Sequence, residues 1–165
     1  KRGTVRFTQL AIRRSPSGFT VDEPSLGISV FASQTAGGTY SVSVSAGGRT
    51  LILTAVATGG GFSVFSPEAY VSAGLYRNDW DPAGRNGFIV SGNLRDDRGT
   101  AREPFVMILA GAFENQGFYS LREEGADLRL NLTSGLGAIT GEVDLERFTP
   151  LKLALLGVGV GLAAR

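Results

Sequence analysis

No histidine and no cysteine occur anywhere in the 165 residues. Their absence removes Ser-His-Asp and Cys-His nucleophilic catalysis, histidine-ligated zinc or iron, zinc–thiolate sites and disulfide staples. Lysine is scarce as well: of 16 basic residues, only Lys1 and Lys152 are lysine, and the rest are arginine. Net charge is +1. The arginines are scattered, with Arg13-Arg14 their only adjacent pair. No basic, aromatic-interleaved face is offered to nucleic acid, and nothing draws an anionic membrane. No apolar run reaches the ~18 residues of a membrane-spanning helix, so no span is expected.

What chemistry is left rests on carboxylates. Two of them, about 5–10 Å apart, are enough for a glycosidase. The candidates are Asp79, Asp81, Glu114, Glu123 and Glu124, and nearly all read as turn residues placed for solubility. Lys152 stands beside the apolar C-terminal stretch and reads as a snorkelling amine, not a nucleophile. The chain is therefore read as a non-enzyme that needs no cofactor. Asp79-x-Asp81-x-Ala83-Gly84 imitates the opening of a calcium loop. It lacks an oxygen ligand at the fifth position and carries Val90 at the twelfth, so a turn capped by its own side chains competes with a weak metal site. Trp80, the only tryptophan, sits in the same polar loop and offers a stacking surface for a sugar or a partner. Asn131-Leu132-Thr133 fits the N-glycosylation sequon, with Asn131 on the polar side of an alternating run.

Glycine is abundant, with 24 residues, and it sits between short apolar runs. Tyr40-Ser41-Val42-Ser43-Val44-Ser45 alternates strictly, which is the period of a half-buried strand. Ala46-Gly47-Gly48-Arg49 then reads as a hairpin turn. Leu51 to Val56 and Phe105 to Phe113 are apolar on both faces and read as strands covered by two layers. In the first strand Val5 and Phe7 are out of phase with Leu10 and Ile12, so a bulge is expected near Gln9. Ten to twelve short strands with brief connections and no helix give a single all-β domain over residues 1–165. The expected architecture is an antiparallel β-sandwich, jelly-roll-like, with a closed β-barrel as the alternative.

The closing stretch attracts the functional reading. Leu156, Val158, Val160 and Leu162 alternate with Gly157, Gly159 and Gly161. Three glycines cost a helix roughly 1 kcal/mol each relative to alanine, so residues 151–163 read as a strand with one oily face. Such a strand needs a cover. Leu151, Leu153, Leu155, Leu156, Val158, Val160 and Leu162 would form an assembly strand donated to a neighbour's sheet, and Val5, Phe7, Leu10 and Ile12, within residues 3–12, a second one. The function expected is a structural subunit of an extracellular filament, virion or cell surface that polymerises with copies of itself. A barrel carrying a small apolar ligand is the alternative, and a carbohydrate-binding module a lesser one.

Overall fold

The structure is a computed structural model that describes residues 4–58, 61–67, 69–77, 86–95, 102–112, 115–123, 125–133 and 136–163. Twelve strands follow one another: β1 (Thr4–Ser15), β2 (Gly18–Glu23), β3 (Ile28–Ala36), β4 (Thr39–Ala46), β5 (Arg49–Thr58), β6 (Gly61–Phe65), β7 (Ala69–Arg77), β8 (Asn86–Arg95), β9 (Arg102–Ala112), β10 (Asn115–Glu123), β11 (Ala126–Thr133) and β12 (Leu136–Asp144). A single 3-10 turn, Pro24–Leu26, joins β2 to β3, and a helix, α1 (Pro150–Ala163), ends the chain.

Every strand pairs antiparallel with its neighbours in sequence, and β1 closes on β12. One sheet therefore forms a closed barrel, and the two-layer sandwich gives way to its alternative. The inward set is what alternation demands: Val42 and Val44 on β4, Leu51 and Leu53 on β5, Leu128 and Leu130 on β11 are all buried. The turn at Gly47-Gly48 places both glycines at positive φ (59° and 79°), as a two-residue hairpin of the type I′ kind requires. The bulge in β1 falls between Phe7 and Leu10. Beside it on β12, Gly141 adopts φ 143°, a conformation closed to other residues. The two irregularities bend adjacent strands at one place on the wall.

Two strands expected to be covered on both faces are not. Ile52 is 62% exposed, Val106 55% and Ile108 47%. Only one face of β5 and of β9 is inside, and the other looks outward.

The larger correction is the C-terminal segment. It is a helix, not a strand, and it occupies the barrel's interior, touching β1 to β4 and β6 to β8. Eight strands leave room for little but side chains, whereas twelve leave a lumen wide enough for a helix of about 10–12 Å. The local start signal is complete. Thr149 is the N-cap: its Oγ1 accepts from the Lys152 N–H at 3.3 Å, and its carbonyl accepts from the Leu153 N–H at 3.1 Å. Pro150 fills the first helical position, where a missing N–H costs nothing. Leu151, Leu153, Ala154, Leu155, Leu156, Val158, Val160 and Leu162 are all buried, so the helix is apolar all round and has no wet face. Its leucines and valines gain about 1.5–3 kcal/mol each on burial, which outweighs the ~1 kcal/mol lost at each glycine. Two of those glycines, Gly157 and Gly161, lie four residues apart on one helix face and let it approach Val21 and Phe19 of β2.

Charge orients the helix. Arg14 of β1 donates to the Gly161 carbonyl at the helix C-terminus. At the opposite end stands Glu23, the only buried polar residue among those described, 3% exposed. Val21 faces Gly157 and Phe19 faces Gly161. Two strand residues advance about 6.6 Å and four helix residues about 6 Å, so Glu23, next on the same face of β2, stands level with the helix's first turn. Its Oε1 accepts from the Ser25 N–H (3.0 Å) and Oγ–H (2.7 Å), while Oε2 is buried without a hydrogen-bond partner. The guanidinium at the C-terminal end matches the helix dipole. Arg14→Met is expected to cost about 1 kcal/mol in a urea melt. Glu23→Ala should lose the Ser25 bonds that cap the Pro24–Leu26 turn and cost about 1 kcal/mol in the same melt.

Candidate functional site

Asp79, Trp80, Asp81, Glu114 and Glu124 lie outside the described residues, and Glu123 ends β10. Among the described residues no group of three or more acidic side chains is placed to hold a metal ion. Lys152 is half-buried in the first turn of α1, where its Nζ donates to the Arg147 carbonyl at 3.2 Å. Asn131 is exposed on β11, paired between Phe118 and Ala138. The seven residues assigned to a donated C-terminal strand are inside this chain's own barrel. Val5, Phe7, Leu10 and Ile12 belong to β1, which is bonded to β12 on one side and β2 on the other. Among the described residues the closed sheet has no unpaired edge strand. Among the described residues no helix is long and apolar enough to cross a membrane.

That leaves two surfaces to consider, the lumen and the outer wall. The lumen is lined by apolar side chains and filled by α1. An aromatic group of Phe19, Tyr40 and Phe62 stands where the helix ends, with centroids 6.4 and 5.9 Å apart. A second pair, Phe88 and Tyr119, meets edge to face at 4.9 Å.

The outer wall has two unlike halves. From β10 through β12 to β2 it carries Arg122, Asp127, Arg129, Glu142, Arg13 and Asp22, the ordinary charged surface of a protein in water. The Arg122–Asp127 pair at 3.2 Å is exposed on both sides and adds little stability. Phe118 and Leu136 are exposed in this half as isolated apolar side chains. From β3 to β9 the wall is different. Among the described side chains from Ile28 to Leu109, Arg49 at the end of the β4–β5 hairpin is the only charged one. The outward positions are hydroxyls and large apolar groups.

Register aligns these groups into rows. One runs Thr20–Phe31–Ser43–Ile52. The other crosses seven strands as Ser33–Ser41–Thr54–Phe65–Tyr70–Asn93–Pro104. Phe31 is 61% exposed, Phe65 44% and Tyr70 45%. Phe65 and Tyr70 are direct cross-strand partners, set by the short connection at Ser66-Pro67. Sequence reading overlooked them. The signal was an aromatic residue on each side of a short Ser66-Pro67 turn, five positions apart. Arg14, visible in sequence only as half of the Arg13-Arg14 pair, is half-buried and caps α1. Comparison with protein-family models, curated proteins and solved structures finds no match to this chain.

Proposed function

We propose that this chain is a non-catalytic structural or interaction protein whose working surface is the outer wall across β3 to β9. The observation that carries this reading is that Phe31, Ile52, Phe65 and Tyr70 stand exposed on a wall whose described side chains, Arg49 apart, carry no charge. Exposed apolar side chains grouped on one part of a surface mark a place where something docks. The carrier reading needs interior space, and α1 occupies it. Assembly by strand addition needs an unpaired edge or a free terminal strand, and the closed sheet supplies neither. Association through side chains on the wall needs no such opening.

Hydrophobic-interaction chromatography tests the reading. Combining Phe31→Ser, Ile52→Ser, Phe65→Ser and Tyr70→Ser should shorten retention strongly and leave the melting temperature within a few degrees, since exposed positions contribute within about 0.5 kcal/mol each. Phe118→Ser with Leu136→Ser, on the charged half, should change retention far less. Equal losses from the two sets would sink the proposal. A small molecule retained by the native chain in native mass spectrometry would restore the carrier.

A further inference from the structure

We infer that the row Ser41–Thr54–Phe65–Tyr70–Asn93 is a binding site for a neutral polysaccharide laid across the strands; this rests on the outer wall being the working surface. The chemistry of the row narrows the ligand by elimination. A nucleic acid or an acidic glycan needs cations, and the row has none. A lipid surface needs a continuous apolar band. Here Ser41, Thr54 and Asn93 flank the two rings within the row, and Ser33, Ser43, Ser63 and Ser91 lie around it, so the apolar surface is not continuous. Phe and Tyr also occur in the cores of protein interfaces, but those cores are poor in serine, and here Ser33, Ser41, Ser43, Ser63 and Ser91 lie in and around the row.

A sugar polymer fits on each count. The C–H face of a pyranose packs on an aromatic ring, and two exposed rings stand side by side at Phe65 and Tyr70. Its hydroxyls both donate and accept, as do the Ser41 and Thr54 hydroxyls and the Asn93 amide on either side of the rings. None of these three side chains makes a hydrogen bond to another described residue. Neighbouring strands are ~4.8 Å apart, close to the length of one sugar unit in an extended chain. A polymer lying across the strands therefore meets one side chain per unit, in the order hydroxyl, hydroxyl, ring, ring, amide. The rings sit on a closed barrel wall held from inside by α1, so the spacing exists before the ligand arrives.

The test is a pull-down of the purified chain on cellulose, chitin and granular starch in high salt, which suppresses attraction between charges. Retention on at least one of them is expected. Phe65→Ala combined with Tyr70→Ala should weaken it by about tenfold or more, as loss of ring burial implies. Arg129→Ala, on the charged half, should not. No retention on any of the three overturns the inference, and so does equal retention by the native chain and the double variant. Chromatographic retention and sedimentation of the same proteins separate the two failures. If the double variant binds the hydrophobic matrix less, or loses self-association, without any sugar binding, the wall still works and its partner is a protein. If neither changes, the wall reading falls as well.

Discussion

Truncation after Phe148 is expected to leave no folded barrel. The lost segment carries Leu151, Leu153, Leu155, Leu156, Val158, Val160 and Leu162, all buried in the lumen. At about 1.5–3 kcal/mol for each side chain removed from water, the loss exceeds about 10 kcal/mol. A domain of this size has a total stability of about 5–15 kcal/mol. The wall side chains that faced α1, Leu10, Phe19 and Val21 among them, would line a void that a closed sheet is too stiff to collapse. The truncated chain should show no cooperative transition in urea and should aggregate. A truncated chain that melts cooperatively would mean that the wall alone is the fold and α1 an accessory. A detachable strand lent to a neighbour predicts that second result, so the experiment also separates the helix from the ribbon expected from the sequence.

The second large effect concerns Gly161 and Gly157. A Cβ on Gly157 would lie 2.7 Å from Val21 Cγ1, and one on Gly161 would meet the ring edge of Phe19 well inside contact distance. Alanine at either site brings a helix propensity gain of ~1 kcal/mol but forces the helix off β2. Overpacking of this kind costs about 1–3 kcal/mol even where neighbours can yield, and here the atoms met are the Val21 methyls and the Phe19 ring, both buried between helix and wall. Gly161→Leu is expected to abolish folding, and Gly161→Ala to lose about 2 kcal/mol in denaturant unfolding. Phe19→Leu should recover part of the Gly161→Ala loss by making room. Were Gly161→Ala stabilising, the close approach of helix and strand would be wrong.

How far the sequence could be read varies from element to element. Tyr40 to Ser45, the Gly47-Gly48 turn and the bulge near Gln9 were all legible, because each depends on a few adjacent residues. Barrel and sandwich were not separable, since both impose period two on every strand. What separates them is the pairing of Thr4 with Asp144 and of Arg13 with Leu136, which no local pattern announces. Val106 and Ile108 misled because an apolar side chain on a wall and one between two layers look alike in sequence. The C-terminal segment carried two conflicting signals. Leu and Val alternating with Gly has the period of a strand, but Leu151, Leu155, Val158 and Leu162 also recur at helical spacing, and Thr149-Pro150 is a helix start. The start signal was the better guide. The glycines were needed for closeness to β2, not for an extended backbone. The Phe65–Tyr70 pair became visible only once register placed one opposite the other.

The chain order of these parts bears on how the molecule is made. β1 must find β12 from the far end of the sequence, and α1 emerges only after both. Until β1 meets β12 and α1 enters, the inward faces of the strands lack their cover. Contacts so distant along the chain form slowly. This interval, not the finished particle, is when the protein is most exposed to clumping and to capture by chaperones.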